Sequence, residues 1–224
     1  MLVSTTPQTL IDDILACTDE DGYGRVSSAQ LCRWINSELS AAWALIRRCN
    51  RDVLTKCTSQ FSVSSSGNIS MTASSPTGVG VTDWMQPRGV DILVATDTWK
   101  KIHPWNFVTR DRVFGISYKF LGDTLYVIPI DQAETYPFRV WYLYTAPTVS
   151  ADALDTAFNI VDGVDDFVVQ MVAAKLRGRL DDDPQLHLAL RGAAERDLRA
   201  ALATCKGGQS TIADVADEDY VGFF

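Results

Sequence analysis

The chain is poor in the residues that announce chemistry. It has two histidines, His103 and His187, and its five cysteines form no CxxC pair and lie at no zinc-ligand spacing with either histidine. The odd cysteine count reads as reduced thiols. No GxSxG, HExxH, P-loop or glycine-rich dinucleotide turn occurs, which removes the local signatures of serine hydrolases, zinc proteases and nucleotide enzymes. No run approaches the roughly 20 apolar residues that span a bilayer, and the N-terminal MLVSTTPQTL has neither a basic nor an apolar leader region. The expectation is a soluble protein made in a cytoplasm, away from membranes. Basic residues are also in deficit: 20 Lys and Arg face 28 Asp and Glu, a formal net charge of −8. That balance argues against a DNA-reading domain, whose affinity comes largely from clustered Lys and Arg on phosphates.

What is present is an ordinary globular composition, 46% hydrophobic and 10% aromatic over 224 residues, enough for a core without disulfide or metal staples. Apolar residues at helical spacing predict helices near 7–17 and 28–48, the second carrying Leu31, Ile35, Leu39, Ala42 and Ile46 on one stripe. Further helices are predicted near 165–181, with Val169, Val172, Leu176 and Leu180 on its stripe, and near 184–206, with Asp183 as N-cap and Pro184 at the first helical position. Between Val53 and Pro147 the period changes to two. The clearest unit there is Ile116 to Pro129, two alternating runs joined by Gly122-Asp123, with Pro129 ending the second strand. The run Phe138 to Tyr144 alternates likewise with Arg139 as its one charge, and Ser62 to Thr82 reads as a Ser/Thr/Gly-rich loop or hairpin tip.

The resulting expectation is an α+β protein. An antiparallel helical bundle is assembled from N- and C-terminal helix pairs (1–52 and 148–206), with an inserted antiparallel β domain (53–147) and an extended C-terminal tail (207–224). The tail holds four acidic and no basic residues, half of the net charge, beside Tyr220, Val221, Phe223 and Phe224. These four are the candidate partner-binding residues, since aromatic anchors that a monomer cannot bury suit interfaces.

Three other groups invite a chemical reading. Asp19-Glu-Asp21-Gly-Tyr23-Gly24-Arg-Val26, with Gln30 at the twelfth position, resembles a degenerate calcium loop. Tyr23 stands where an oxygen ligand belongs and Gln30 replaces the bidentate Glu, so a polar turn between helices explains the residues more simply. Asp181-Asp182-Asp183 reads as a capping turn. Trp84, Trp99, Trp105, Phe107, Tyr118, Phe120, Tyr126, Trp141 and Tyr142 could line a carbohydrate-binding face or fill a core. No metal or cofactor is expected. The alternative function these groups leave open is a calcium-dependent carbohydrate-binding or adhesion module using the Asp19 loop.

Several patterns together resemble the head-to-tail adaptor (connector, head-completion) proteins of tailed bacteriophages. They are the early helix pair with Leu31-Cys-Arg-Trp34-Ile35-Asn36, the hairpin Tyr118 to Pro129 turning at Gly122-Asp123, the strand Val140-Trp-Tyr142-Leu-Tyr144-Thr-Ala-Pro147, and the apolar helix Phe167 to Leu180 followed by a last helix and tail. Trp84-Met-Gln-Pro87 departs from the family, where a Leu-Pro-Asp turn usually follows a short strand. The resemblance implies a non-enzymatic virion protein, a twelve-subunit ring docked beneath the portal protein and bound below by a tail or nozzle protein. Packaged DNA would pass through its channel without specific binding, which a net negative chain favours.

Overall fold

The computed structural model describes residues 2–18, 26–75, 78–105, 115–129, 134–180 and 184–204. The chain divides into two compact units. One is drawn from Met1–Val53 together with Ala146–Phe224, the other is Leu54–Thr145.

In the first unit, β1 (Leu2–Thr5) leads into α1 (Pro7–Cys17), which is capped by the Thr6 hydroxyl accepting from the Thr9 amide and has proline at its start. The next helix, α2 (Ser28–Cys49), is capped by Ser27, whose hydroxyl accepts from the Gln30 amide, and closes on Arg47 and Arg48. After the second unit the chain returns through a short strand, β9 (Phe158–Val161), which pairs antiparallel with β1, and then forms α3 (Val164–Leu180) and α4 (Pro184–Thr204).

The central element of this unit is α3, which packs against α1, α2 and α4. Its sequence requires this. Phe167, Val168, Met171, Val172, Ala174 and Leu176 are all at most 4% exposed, so the helix is apolar nearly all round. Leu10, Ile14, Ile35, Leu39 and Ile46, from α1 and α2, are also fully buried. Each such side chain contributes about 1.5–3 kcal/mol of burial free energy. One charge is buried among them: Glu38 of α2, paired at 3.2 Å with Lys175 of α3, whose ammonium also lies 5.9 Å from the Trp34 ring.

The second unit is a curled seven-stranded mixed sheet in the order β2-β8-β4-β5-β6-β7-β3. A 3-10 turn, Arg51–Leu54, leads into β2 (Thr55–Cys57), followed by β3 (Asn68–Ser70), β4 (Trp84–Ala95), β5 (Thr98–Pro104), β6 (Ser117–Leu121), β7 (Thr124–Ile128) and β8 (Phe138–Tyr144). All neighbours are antiparallel except β5 and β6, which run parallel with His103 opposite Ser117. The β6–β7 hairpin turns on Gly122-Asp123, where Gly122 takes a φ of 64° that a side chain would oppose. Alternation sends Val90, Ile92, Ile102, Leu125, Val127, Phe138 and Val140 into one core.

This architecture overturns the expected antiparallel bundle with an inserted antiparallel β domain. The strand-rich sheet dominates, it is mixed, and the helices share their unit with a second, two-stranded sheet. The reason is that β1 and β9 are four residues each and lie 153 residues apart at their nearest ends, so neither shows a period long enough to read and only their pairing stabilises them. The twelve-residue β4 was hidden differently. It contains Pro87 and Gly89, and the β4–β8 register shifts between Trp84 and Gln86 and again between Pro87 and Gly89, two irregularities that admit residues a regular central strand rejects. The segment expected as a loop likewise holds β3, which pairs with β7.

Candidate interaction surface

On β8 the period of two places Arg139 and Trp141 on the face opposite Phe138 and Val140, and β4 brings Asp91 directly across from Arg139. The Arg139 Nε and Nη2 both lie 2.9 Å from Asp91 Oδ2, and Trp141 Nε1 donates to the same oxygen at 2.8 Å. The guanidinium lies 4.3 Å from the centre of the Trp99 ring and 5.2 Å from that of Trp141. A planar cation suits this site because it stacks and forks at once. Cys57, opposite Trp141 on β2, has its thiol pushed up by burial, with Arg139 opposing and Asp91 reinforcing the shift.

Further along the sheet on this outward face, the Lys119 ammonium is 5.6 Å from the Trp105 ring and 5.4 Å from that of Tyr126, its cross-strand partner. Lys101 of β5, directly opposite Asp91 of β4, and His103 are exposed. The face therefore alternates half-buried aromatic rings with cations over neighbouring strands.

A second polar cluster gathers at Asp83. Its carboxylate accepts from Lys56 Nζ at 2.5 Å and from the Tyr142 hydroxyl at 2.9 Å, while the Lys56 ammonium sits 4.0 Å over the Tyr144 ring. Burial, and after it Asp83, pushes the Tyr144 phenol up to about 12. Burial followed by the Asp83 hydrogen bond also raises Tyr142. Trp84 stacks on Tyr142 with centroids 5.3 Å apart. At the hairpin turn, the hydroxyls of Thr72 and Ser70 donate to Asp123 and hold its carboxyl below the ordinary value.

Of the residues singled out from sequence, Tyr220, Val221, Phe223 and Phe224 lie outside the described residues, as do Asp19 to Arg25, Asp181 to Asp183 and Phe107. Among the described residues no group of three or more His, Cys, Asp or Glu side chains is placed to hold a metal ion, and no helix is long and apolar enough to cross a membrane. Gln30 sits in the first turn of α2. The aromatic set separates into two: Tyr118, Phe120, Tyr142 and Trp84 pack on the core side, while Trp99, Trp105, Tyr126 and Trp141 belong to the outward face. Sequence reasoning missed Asp83 and Asp91 as the acceptors that organise these clusters. The available signal was the alternation Arg139-Val-Trp141 and Trp99-Lys-Lys101, which puts a ring and a cation on one face of each strand.

No family model and no curated relative matches the chain.

Proposed function

We propose that this chain is a non-enzymatic structural protein of a tailed-bacteriophage virion, a head-to-tail adaptor that forms a ring beneath the portal and joins it to the tail. The observation that carries the reading is the order in which the chain builds its elements. The helix pair α1–α2 comes first, then the hairpin β6–β7 turning on Gly122-Asp123 and ending before Pro129, then β8 running into Thr145-Ala-Pro147, and then an apolar helix packed on the first two. The same reading is supported by the fate of the charged side chains. Asp83, Asp91 and Glu38 are each tied to a cation on a neighbouring element, an arrangement that holds a scaffold in one shape. A net charge of −8 suits a subunit that lines a path for DNA without retaining it.

In this reading twelve copies form the ring, the portal protein lies above, a tail or nozzle protein lies below, and Tyr220, Val221, Phe223 and Phe224 anchor the tail on a partner. The test is immunogold or tagged-subunit labelling of virions, combined with electron microscopy of the purified chain mixed with portal rings. Label at the neck and added density of twelvefold symmetry are the expected results. Label elsewhere on the particle, or portal rings left bare, would rule the adaptor reading out.

A further inference from the structure

We propose that the cleft between α3 and α4 is a docking pocket for an arginine side chain presented by another, basic protein. The cavity measures about 230 Å³. Its floor is apolar, formed by Phe167, Ala194 and Leu198, each at most 4% exposed, and its rim carries the exposed polar side chains of Asp166, Gln170 and Asp197. None of the ion pairs among the described residues uses Asp166 or Asp197. The sequence explains why. A helical side chain meets those three and four positions away. For Asp197 these are Ala193, Ala194, Ala200 and Ala201, and for Asp166, in the first turn of α3, they are Val169 and Gln170. The other acidic residue of α4, Glu195, is instead held by Arg191 and Arg199.

Negative charge accumulates at this rim rather than cancelling. Burial, and after it the carboxylates of Asp165, Asp162 and Asp13, raises the Asp166 carboxyl above its ordinary value, so a cation entering the cleft relieves repulsion already present. A bare metal ion does not fit. Among the described residues no group of three or more ligating side chains is placed to hold one, and an apolar floor offers a hydrated ion nothing. A long side chain with an apolar stem and a charged head satisfies both parts, with the stem on Phe167 and Leu198 and the head at the carboxylates. Arginine suits the site better than lysine. Its guanidinium is less strongly hydrated, and its planar fork of donors can serve carboxylates from two helices together with the Gln170 amide oxygen. The chain itself carries a net charge of −8, so copies of it repel one another on the whole and charge complementarity selects a different, basic protein. The inference stands apart from the adaptor reading, because it concerns a cleft within one unit of the chain.

The test is methyl NMR of the full-length chain labelled at alanine and leucine, titrated with the capped tripeptide Gly-Arg-Gly at low and high salt. The Ala194, Leu198 and Ala201 methyls are expected to shift saturably, with a dissociation constant on the order of millimolar and weaker binding at high salt, since a single partly exposed ion pair supplies little affinity. The peptide carrying citrulline, the uncharged isostere of arginine, should bind about tenfold more weakly, and the lysine peptide should fall between them. Asp166→Asn with Asp197→Asn keeps the shape of the cleft and should weaken binding by about tenfold or more. Ala201→Leu fills the cleft while leaving both carboxylates, and should weaken it as much, a loss that general attraction to an acidic surface would not produce. Should Ala201→Leu fail to fold, the isosteric asparagine pair decides. Methyls that do not shift, variants that bind as the wild type does, or equal binding of the arginine and citrulline peptides would overturn the proposal. So would saturable shifts of the same methyls with calcium chloride alone, which would assign the rim to a metal ion. Shifts that grow with the concentration of the chain by itself and vanish in the asparagine pair would also overturn it, by assigning the pocket to a second copy.

Discussion

Asn36 and Val149, 113 residues apart, hold each other by both hands of one amide: Asn36 Nδ2 donates to the Val149 carbonyl at 2.9 Å, and the Val149 amide donates to Asn36 Oδ1 at 2.8 Å. A side chain on α2 thereby mimics a strand partner for the segment that re-enters the helical unit, and Val149 is buried in consequence.

Asn36→Ala leaves the backbone N–H and C=O of a buried residue without that partner, and is expected to cost about 1–3 kcal/mol. Asn36→Asp keeps the acceptor but loses the donor, and falls between. Urea denaturation followed by far-ultraviolet circular dichroism checks both. A wild-type midpoint for the alanine variant would mean that the clamp adds nothing.

Asp91 is the shared acceptor for Arg139 and Trp141 and its side chain is 12% exposed, so Asp91→Ala strands a partly buried guanidinium and an indole N–H. A loss of about 3 kcal/mol is expected, and Arg139→Lys should recover little, because an ammonium cannot fork to the carboxylate and stack between two rings. Tryptophan emission should shift red in both variants as the Trp99 and Trp141 rings lose their packing. Equal stability for Arg139→Lys and wild type would contradict the stacked arrangement.

Alkaline stability follows from Tyr144. The unfolded chain releases this phenolic proton near 10, whereas the folded chain holds it to about 12. The group's contribution is therefore fully present below pH 10 and is lost as pH rises through about 12. Tyr142, raised in the same direction, adds to the slope. Denaturant midpoints measured upward from pH 9 should fall, and Tyr144→Phe should flatten the fall. An unchanged slope in that variant would show that other groups control it.

Leu176 lies 2% exposed in the middle of α3. Leu176→Asp places an unpaired carboxylate there at a cost of several kcal/mol, comparable to the stability of a whole domain. The variant is expected to be insoluble or to lack a cooperative thermal transition, and a soluble, cooperatively melting product would show that α3 is not the centre of its unit.

Deleting residues 208–224 is expected to leave the melting temperature of the free subunit within about a degree, since most terminal residues contribute little to folding stability. Loss of subunit association and of portal binding should accompany it. A truncated chain that assembles normally would remove the tail from the interaction.

Much of the fold is written in local sequence patterns. The stripes on α1, α2 and α3, the proline at the start of α4 and the Gly122-Asp123 hairpin could be read because each is a local pattern repeated over several turns or strand steps. The candidate surface was only half legible. The alternation around Trp99 and Arg139 showed that rings and cations share a face of their own strand, but which strands would be neighbours was not written there. Amino-acid order by itself determined the helical and strand periods and the placing of half the net charge in the last residues, because these depend on neighbours within a few positions. Tertiary structure alone decided the pairing of β1 with β9, the parallel seam between β5 and β6, the two irregularities that let Pro87 and Gly89 into a central strand, and the meeting of Asp91 with Arg139 and Trp141. Strand pairing joins residues tens to hundreds of positions apart, and its free energy comes from backbone hydrogen bonds and shared burial that almost any alternating sequence can supply, so no local pattern names the partner.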